Sequence, residues 1–234
     1  MTRREELDAL LERYSRLAAP AGAAGAAGDF AGRLRALRAW QGERLARTYA
    51  DLRAEAHYAR AVGFFLSDLY GPQEFTRRDE DLRRAWRYLK RALPGAAIDI
   101  LLRAMELQVL TAELDATLLS RLVPGPITPA SYAAAYRATG RRAARSRQIE
   151  LIVAIGADLR RIVSHAWLAR LLRAAHAPAH AAGFGVLQDF LERGFAAFRD
   201  MPDAERLLGA VRERETRFLE TVFSGSEAPL AVGS

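Results

Sequence analysis

The chain has 234 residues, half of them hydrophobic and 27% charged, a balance that supports a packed core and excludes a disordered polymer. It contains no cysteine, which excludes a disulfide scaffold, a cysteine-ligated zinc or iron–sulfur site and a cysteine nucleophile, and fits a reducing compartment such as the cytoplasm. The formal charge of +7 is carried almost wholly by arginine, with Lys90 the only lysine, and alanine is in similar excess, a pairing that GC-rich codon supply explains as well as an anionic partner does.

The charged start from Met1 to Glu6 predicts no export signal, and the apolar runs around Ile98 to Leu102 and Ile149 to Gly156 are too short to cross a bilayer. Leu7, Leu10, Leu11, Tyr14 and Leu17 recur at spacings of three and four, predicting an amphipathic helix over residues 3 to 18. The Ala/Gly-rich stretch 19 to 28, with Pro20, lacks side-chain bulk and reads as a flexible linker. The domain organisation that follows is a loosely tethered first helix over 1–28, a helical domain over 29–223 and a disordered tail from Ser224. Asp29 is the expected N-cap of the second element. Leucines at helical spacing from Leu34 as far as Tyr70 then predict a helix of about 40 residues, or two nearly collinear ones, which implies an elongated bundle, a bend near Gly42 or Gly63, or a dimer.

Gly71-Pro72 ends that helix, and Thr76 with Asp79 has capping-box spacing before the stripe Leu82, Trp86, Leu89 and Leu93. Residues 98 to 123 are apolar on more than one face and predict the central helix, closed by Pro124-Gly125-Pro126. Thr128-Pro129 opens a short helix through Tyr132 and Tyr136 to Gly140. A long helix is expected over 141 to 175, a further one from Pro178 through Phe184 to Phe198, and a last one after Met201-Pro202. With no period-two run of β-branched residues, the fold class is all-α, a single bundle of about seven or eight helices.

Two stretches stand out. Phe64-Phe65-Leu66-Ser67-Asp68-Leu69-Tyr70-Gly71-Pro72 with Phe75, Arg78 and Asp79, and Ala182-Gly183-Phe184-Gly185 with the run from Leu187 to Phe195, resemble the characteristic segments of an uncharacterised bacterial all-α family. The resemblance runs from about residue 29 to residue 223, implies one domain and transfers no activity. Within these stretches, Phe64, Phe65, Asp68, Tyr70, Arg78, Phe184, Gln188 and Asp189 are the candidates for a ligand or partner site. Asp68 shares a helical face with Phe64 and Phe65, so it reads either as a structural clamp paired with Arg77 or Arg78 or as part of a ligand site.

His176 and His180 have the i, i+4 spacing of a metal-binding pair, but a helix boundary at Pro178 separates them, so no metal site is expected. His165 is placed toward the core, where hydrogen bonding and haem ligation are the competing readings. Glu106 and Glu113 share a face of the central helix, and pairing with arginines is the expected outcome. Arg137, Arg141, Arg142, Arg145 and Arg147 form the densest basic cluster, readable as phosphate contacts along Arg141, Arg145 and Gln148 or as a helix start paired with acidic neighbours.

No catalytic constellation is recognisable and no cofactor is specified. The leading functional reading is a non-enzymatic helical protein that contacts a protein partner or a second copy of itself. A small-molecule or cofactor-binding bundle, possible as an enzyme, and a nucleic-acid binder through the Arg137 to Arg147 cluster are the alternatives.

Overall fold

The computed structural model describes residues 2–18, 24–66, 81–86, 93, 95–199, 201 and 203–225. Among these, every regular element is a helix: α1 (Arg3–Ala18), α2 (Ala24–Thr48), α3 (Ala50–Ala54), α4 (Ala56–Phe64), α5 (81–86), α6 (Gly95–Leu119), α7 (Pro129–Ala138), α8 (Arg142–Val163), α9 (Ala166–Ala181), α10 (Gly185–Arg199) and α11 (Ala204–Phe223). The all-α class read from the spacing of apolar residues is the class observed. Helix α6 lies between α1 and α8, α8 lies between α6 and α11, and α9 and α10 form an antiparallel hairpin at one side.

The stretch before α2 does not leave α1 loose. Leu7 and Leu11, four residues apart on one face, are buried with Trp86 of α5 and with Ile98 and Met105 of α6. The Trp86 indole N–H donates to Asp8 at 2.6 Å, Arg3 pairs with Asp99 at 3.0 Å, and Arg13 pairs with Glu113. A helix that turns its apolar stripe onto a neighbour gains roughly 1.5–3 kcal/mol for each fully buried large side chain. That gain fixes α1 on α6 whatever the stiffness of the connection. Asp29 is not an N-cap, since α2 already begins at Ala24.

The long helix expected from Leu34 to Tyr70, as one piece or two nearly collinear ones, is broken within the described residues at two places other than Gly42 and Gly63. Tyr49 leaves helical geometry between α2 and α3, and Glu55 is extended, with ψ 119°, between α3 and α4. Leu52 and Tyr58 are both buried in the same core. Six residues of uninterrupted helix would set them about 120° apart around the axis, so the chain has to turn between them. Arginines of α11 hold the break: Arg206 grips the Glu55 carboxylate through two bonds of 2.9 and 2.8 Å, and Arg214 grips Asp51 while donating to the Thr48 carbonyl.

Helix α7 starts as predicted. Thr128 and Ser131 exchange side-chain and backbone hydrogen bonds around Pro129, satisfying donors of the first turn. The helix expected over 141 to 175 is instead two, because His165 is extended between α8 and α9. Pro178 starts no helix and lies inside α9, where the N–H it lacks and the carbonyl it leaves unpaired face solvent. The true stop is Gly183, whose φ of 76° is a left-handed conformation available to glycine, and whose N–H bonds back to the His180 carbonyl.

Three apolar cores result. One joins α4, α8, α10 and α11, a second joins α2, α6, α7 and the end of α11, and the third lies under α1. Arginine serves repeatedly at helix ends, where carbonyls lack intrahelical partners. Arg33 donates to Leu119 and Leu122 beyond α6, Arg137 to Val222 in α11, Arg84 to Gly183 after α9, and Arg214 to Thr48 in α2.

Candidate functional site

Between the first two cores, α2, α6, α7, α8 and α11 enclose a cavity of about 90 Å³. Its walls carry an unusual density of buried charge. Arg44 of α2 is forked onto Glu215 of α11 at 3.0 and 2.7 Å, and the Tyr49 hydroxyl donates to the same carboxylate at 3.1 Å. Asp115 of α6, almost fully buried, accepts from Arg38 Nε at 3.2 Å and from Gln41 Nε2 at 3.4 Å. Burial by itself would push the Arg44 guanidinium down, but the charge and hydrogen bonds of Glu215 outweigh it and hold the group above its ordinary value. Arg44 is therefore charged at any working pH.

Arg145 of α8 lacks such a carboxylate among the described residues. It is 6% exposed, its Nη1 donates to Gln148 Oε1 at 3.0 Å, and its guanidinium stacks over the Tyr136 ring at 4.7 Å. Gln148 is fixed in turn by donating to Thr111 at 2.8 Å. Nε and Nη2 of Arg145 are buried with no hydrogen-bond partner, and so is Nε of Arg44. A buried donor left unmade costs roughly 1–3 kcal/mol, and more on a charged group, so two on one guanidinium mark a position where something acceptor-rich belongs. Burial raises the phenols of Tyr132 and Tyr136 above their ordinary range, which keeps both neutral. Among the residues lining the cavity the cations Arg44 and Arg145 are matched by the carboxylates Asp115 and Glu215, and Asp115 is paired with Arg38, which stands outside the lining.

Of the candidates for a ligand or partner site read from the sequence, five lie among the described residues. Asp68, Tyr70 and Arg78 lie outside the described residues, and with them the proposed clamp at the turn and the capping box at Thr76. Phe64 is buried against Phe190, 5.3 Å between ring centres, so the described parts of the two characteristic stretches do meet, as core packing. Phe65 stacks edge-on with Phe198 and reaches the cavity wall. Phe184, Gln188 and Asp189 sit at the start of α10, where Arg84 lies over the Phe184 ring at 5.2 Å.

The basic cluster is not one surface. Arg142 pairs with Glu220, Arg147 takes Glu106 in two bonds of 3.0 and 3.1 Å, Arg137 donates to Val222, and of Arg141, Arg145 and Gln148 only Arg141 is exposed. Arg145 and Gln148 turn inward, which removes two of the three residues proposed to track a backbone. Glu106 and Glu113 pair with arginines, as expected. His165 is exposed, contrary to the core placement, because it lies in the extended break before α9, where its side chain makes no capping hydrogen bond.

His176 and His180 are on one helix after all, their ring centres 4.5 Å apart. His176 Nδ1 lies 2.9 Å from Glu192 Oε1, and His180 Nε2 lies 2.8 Å from Asp189 Oδ1, both partners on α10. Gln188, buried beneath them, donates to the Leu172 carbonyl and to Glu192 Oε1, each at 2.8 Å. That bond, followed by His176, lowers the Glu192 carboxyl below its ordinary range.

Sequence reading missed Gln41, Arg44, Asp115 and Glu215. The signal was present in their phase: Glu215 falls four after Val211 and three before Phe218 on the buried stripe of α11, and Arg44 precedes Leu45 on that of α2. Charged residues in phase with an apolar stripe mark a buried polar network rather than a solvated face.

Fold and cavity together define the class: an all-α domain with a chamber lined by buried charged side chains at the junction of its cores. Residues 23–229 match the family described as domain of unknown function DUF8198, and the chain belongs to that family. The match begins after α1. No curated protein matches the chain, and no solved structure does.

Proposed function

We propose that the domain binds a small carboxylate monoanion in the cavity, its carboxylate on Arg145 and its carbon end against Phe65, Leu66 and Ile152. The observation that carries this reading is the buried Arg145 guanidinium with Nε and Nη2 unpaired at the wall of a 90 Å³ space. The volume corresponds to roughly three waters at about 30 Å³ each, which suits a ligand of a few heavy atoms. With Glu215 taken by Arg44 and Asp115 by Arg38, Arg145 is the lining cation left to a monoanion, and the bidentate face of its guanidinium matches a carboxylate. Asp115 and Glu215 are both held by guanidinium groups, so the arrangement favours binding over proton transfer.

Thermal melts with acetate, propionate, butyrate and inorganic phosphate test it. A carboxylate at about 100 times its Kd adds about 2.7 kcal/mol, and at roughly 2–4 °C per kcal/mol for this chain length Tm should rise by about 5–11 °C. Arg145→Met should melt no lower than the parent, because it removes two unmade donors, and should show no rise with carboxylate. Equal protection of parent and variant, or none in either, rejects the site.

A second reading, contact between proteins, is favoured by α9, which has no buried residue and leaves Trp167 and Leu171 exposed four positions apart. If that face pairs two copies of the chain, sedimentation velocity should show a larger species that Leu171→Glu converts to monomer. A monomer at all concentrations removes self-association from this reading.

A further inference from the structure

We propose that His176 and His180 of α9, with Asp189 and Glu192 of α10, form a binding site for a divalent transition ion of the zinc class that pins the α9–α10 hairpin. Two imidazoles at i and i+4 stand over two carboxylates at i and i+3 on the facing helix, so four ligand groups converge from two directions. Ligand atoms of His176, His180 and Asp189 all lie within 4.8 Å of one another. A tetrahedral zinc ion with bonds of roughly 2.0–2.2 Å sets its ligands about 3.3–3.6 Å apart, so rotamer adjustments of about an ångström close those three, and Glu192, 2.9 Å from His176 Nδ1, swings further to become the fourth. The carboxylates are already in hydrogen-bond contact with the imidazoles, one to each.

The supporting residues are placed as a ligand set requires. Buried Gln188 orients Glu192 from below while anchored to the backbone of α9, the role that outer-sphere amides play around metal ligands. Gly185 lets the His180 ring lie against the start of α10: a Cβ there would stand 2.7 Å from Nδ1 and 2.9 Å from Cε1 of that ring. Two nitrogen and two oxygen ligands suit zinc and its neighbours in the first transition row, and are poorly matched to magnesium or calcium, which take all-oxygen shells. Four protein ligands leave no open position, so the ion's role is structural. Without an ion these contacts amount to two exposed histidine–carboxylate pairs, which contribute little to stability.

Calorimetric titration of the full chain with zinc chloride at neutral pH decides between them, with magnesium chloride as control. One ion per chain is expected, with no magnesium binding and a rise in Tm on zinc addition. His176→Ala/His180→Ala, at exposed positions that leave the cores intact, should abolish binding with an unchanged circular dichroism spectrum. Gln188→Ala should weaken binding by about 10- to 100-fold, and cobalt substitution should give the intense visible bands of a tetrahedral centre. Zinc binding equal in parent and double variant, or absent from a folded parent, overturns the proposal. So does an octahedral cobalt spectrum, since it would mean that water, not the carboxylates, fills the shell.

Discussion

Glu215→Ala is expected to be among the most destabilising single substitutions in this protein, costing roughly 3–5 kcal/mol, because it leaves the Arg44 guanidinium buried and unpaired. Arg44 already carries one unmade donor at Nε, and the substitution strands both terminal nitrogens as well and removes the Tyr49–Glu215 hydrogen bond. At roughly 2–4 °C per kcal/mol for a chain of this length, the melting temperature should fall by about 6–20 °C. The pair itself is a different matter. Removing both charges, as Arg44→Met with Glu215→Leu, also removes the desolvation cost of two ions, and should restore stability to the parent level or above it. Denaturant melts of the single and double variants check both statements. A single variant within 2 °C of the parent would mean that water reaches Arg44 freely, and the enclosed character of the cavity would fall with it.

Deleting residues 2–18 is expected to lower the melting temperature by roughly 10 °C or more, although the Ala/Gly segment invites the opposite expectation. The deletion uncovers Trp86, Ile98 and Met105, and removes the buried side chains Leu7 and Leu11 together with the Trp86–Asp8 hydrogen bond. Leu7→Ala isolates the packing term: a buried leucine truncated to alanine costs roughly 2–5 kcal/mol according to how far the site collapses. Trp86 supplies an internal readout, since its fluorescence should shift to longer wavelength in the truncated chain as water reaches the indole. An unshifted spectrum and an unchanged melting temperature would show that α1 adds nothing to the fold. The family match starts at residue 23, so this experiment also asks whether the matched segment needs a helix that lies outside it.

The arginine content acquires a physical account from the same contacts. Arg33, Arg84, Arg137 and Arg214 close helix ends, Arg206 and Arg214 hold the breaks around α3, and Arg44 and Arg145 are buried at the cavity. Guanidinium suits all these positions because it presents five donors in a fixed plane and stays charged when buried. Much of the positive charge is thus engaged inside the molecule, and the high pI by itself is no argument for a nucleic-acid surface.

Helix class, the position of α7, the central place of α6 and the pairing of Glu106 and Glu113 were legible in the sequence, because each depends on neighbours within a few turns: capping residues, prolines and apolar spacing at three and four. The break at Glu55, the continuity of α9 through Pro178 and the docking of α1 were not. In two of these a distant partner overrides local preference, α11 gripping the chain at Glu55 and Asp51 and α6 offering α1 an apolar face, and in the third the exposed face of α9 tolerates the missing N–H. The candidate sites divide along the same line. Sequence spacing brought His176 and His180 to notice and then dismissed them at a proline, whereas Asp189 and Glu192 meet them only because Gly183 turns α10 back along α9. Arg145 looks like one more surface arginine until α2 and α11 close over it beside the neighbouring α7, for its burial depends on elements far away in the chain and no local pattern records it.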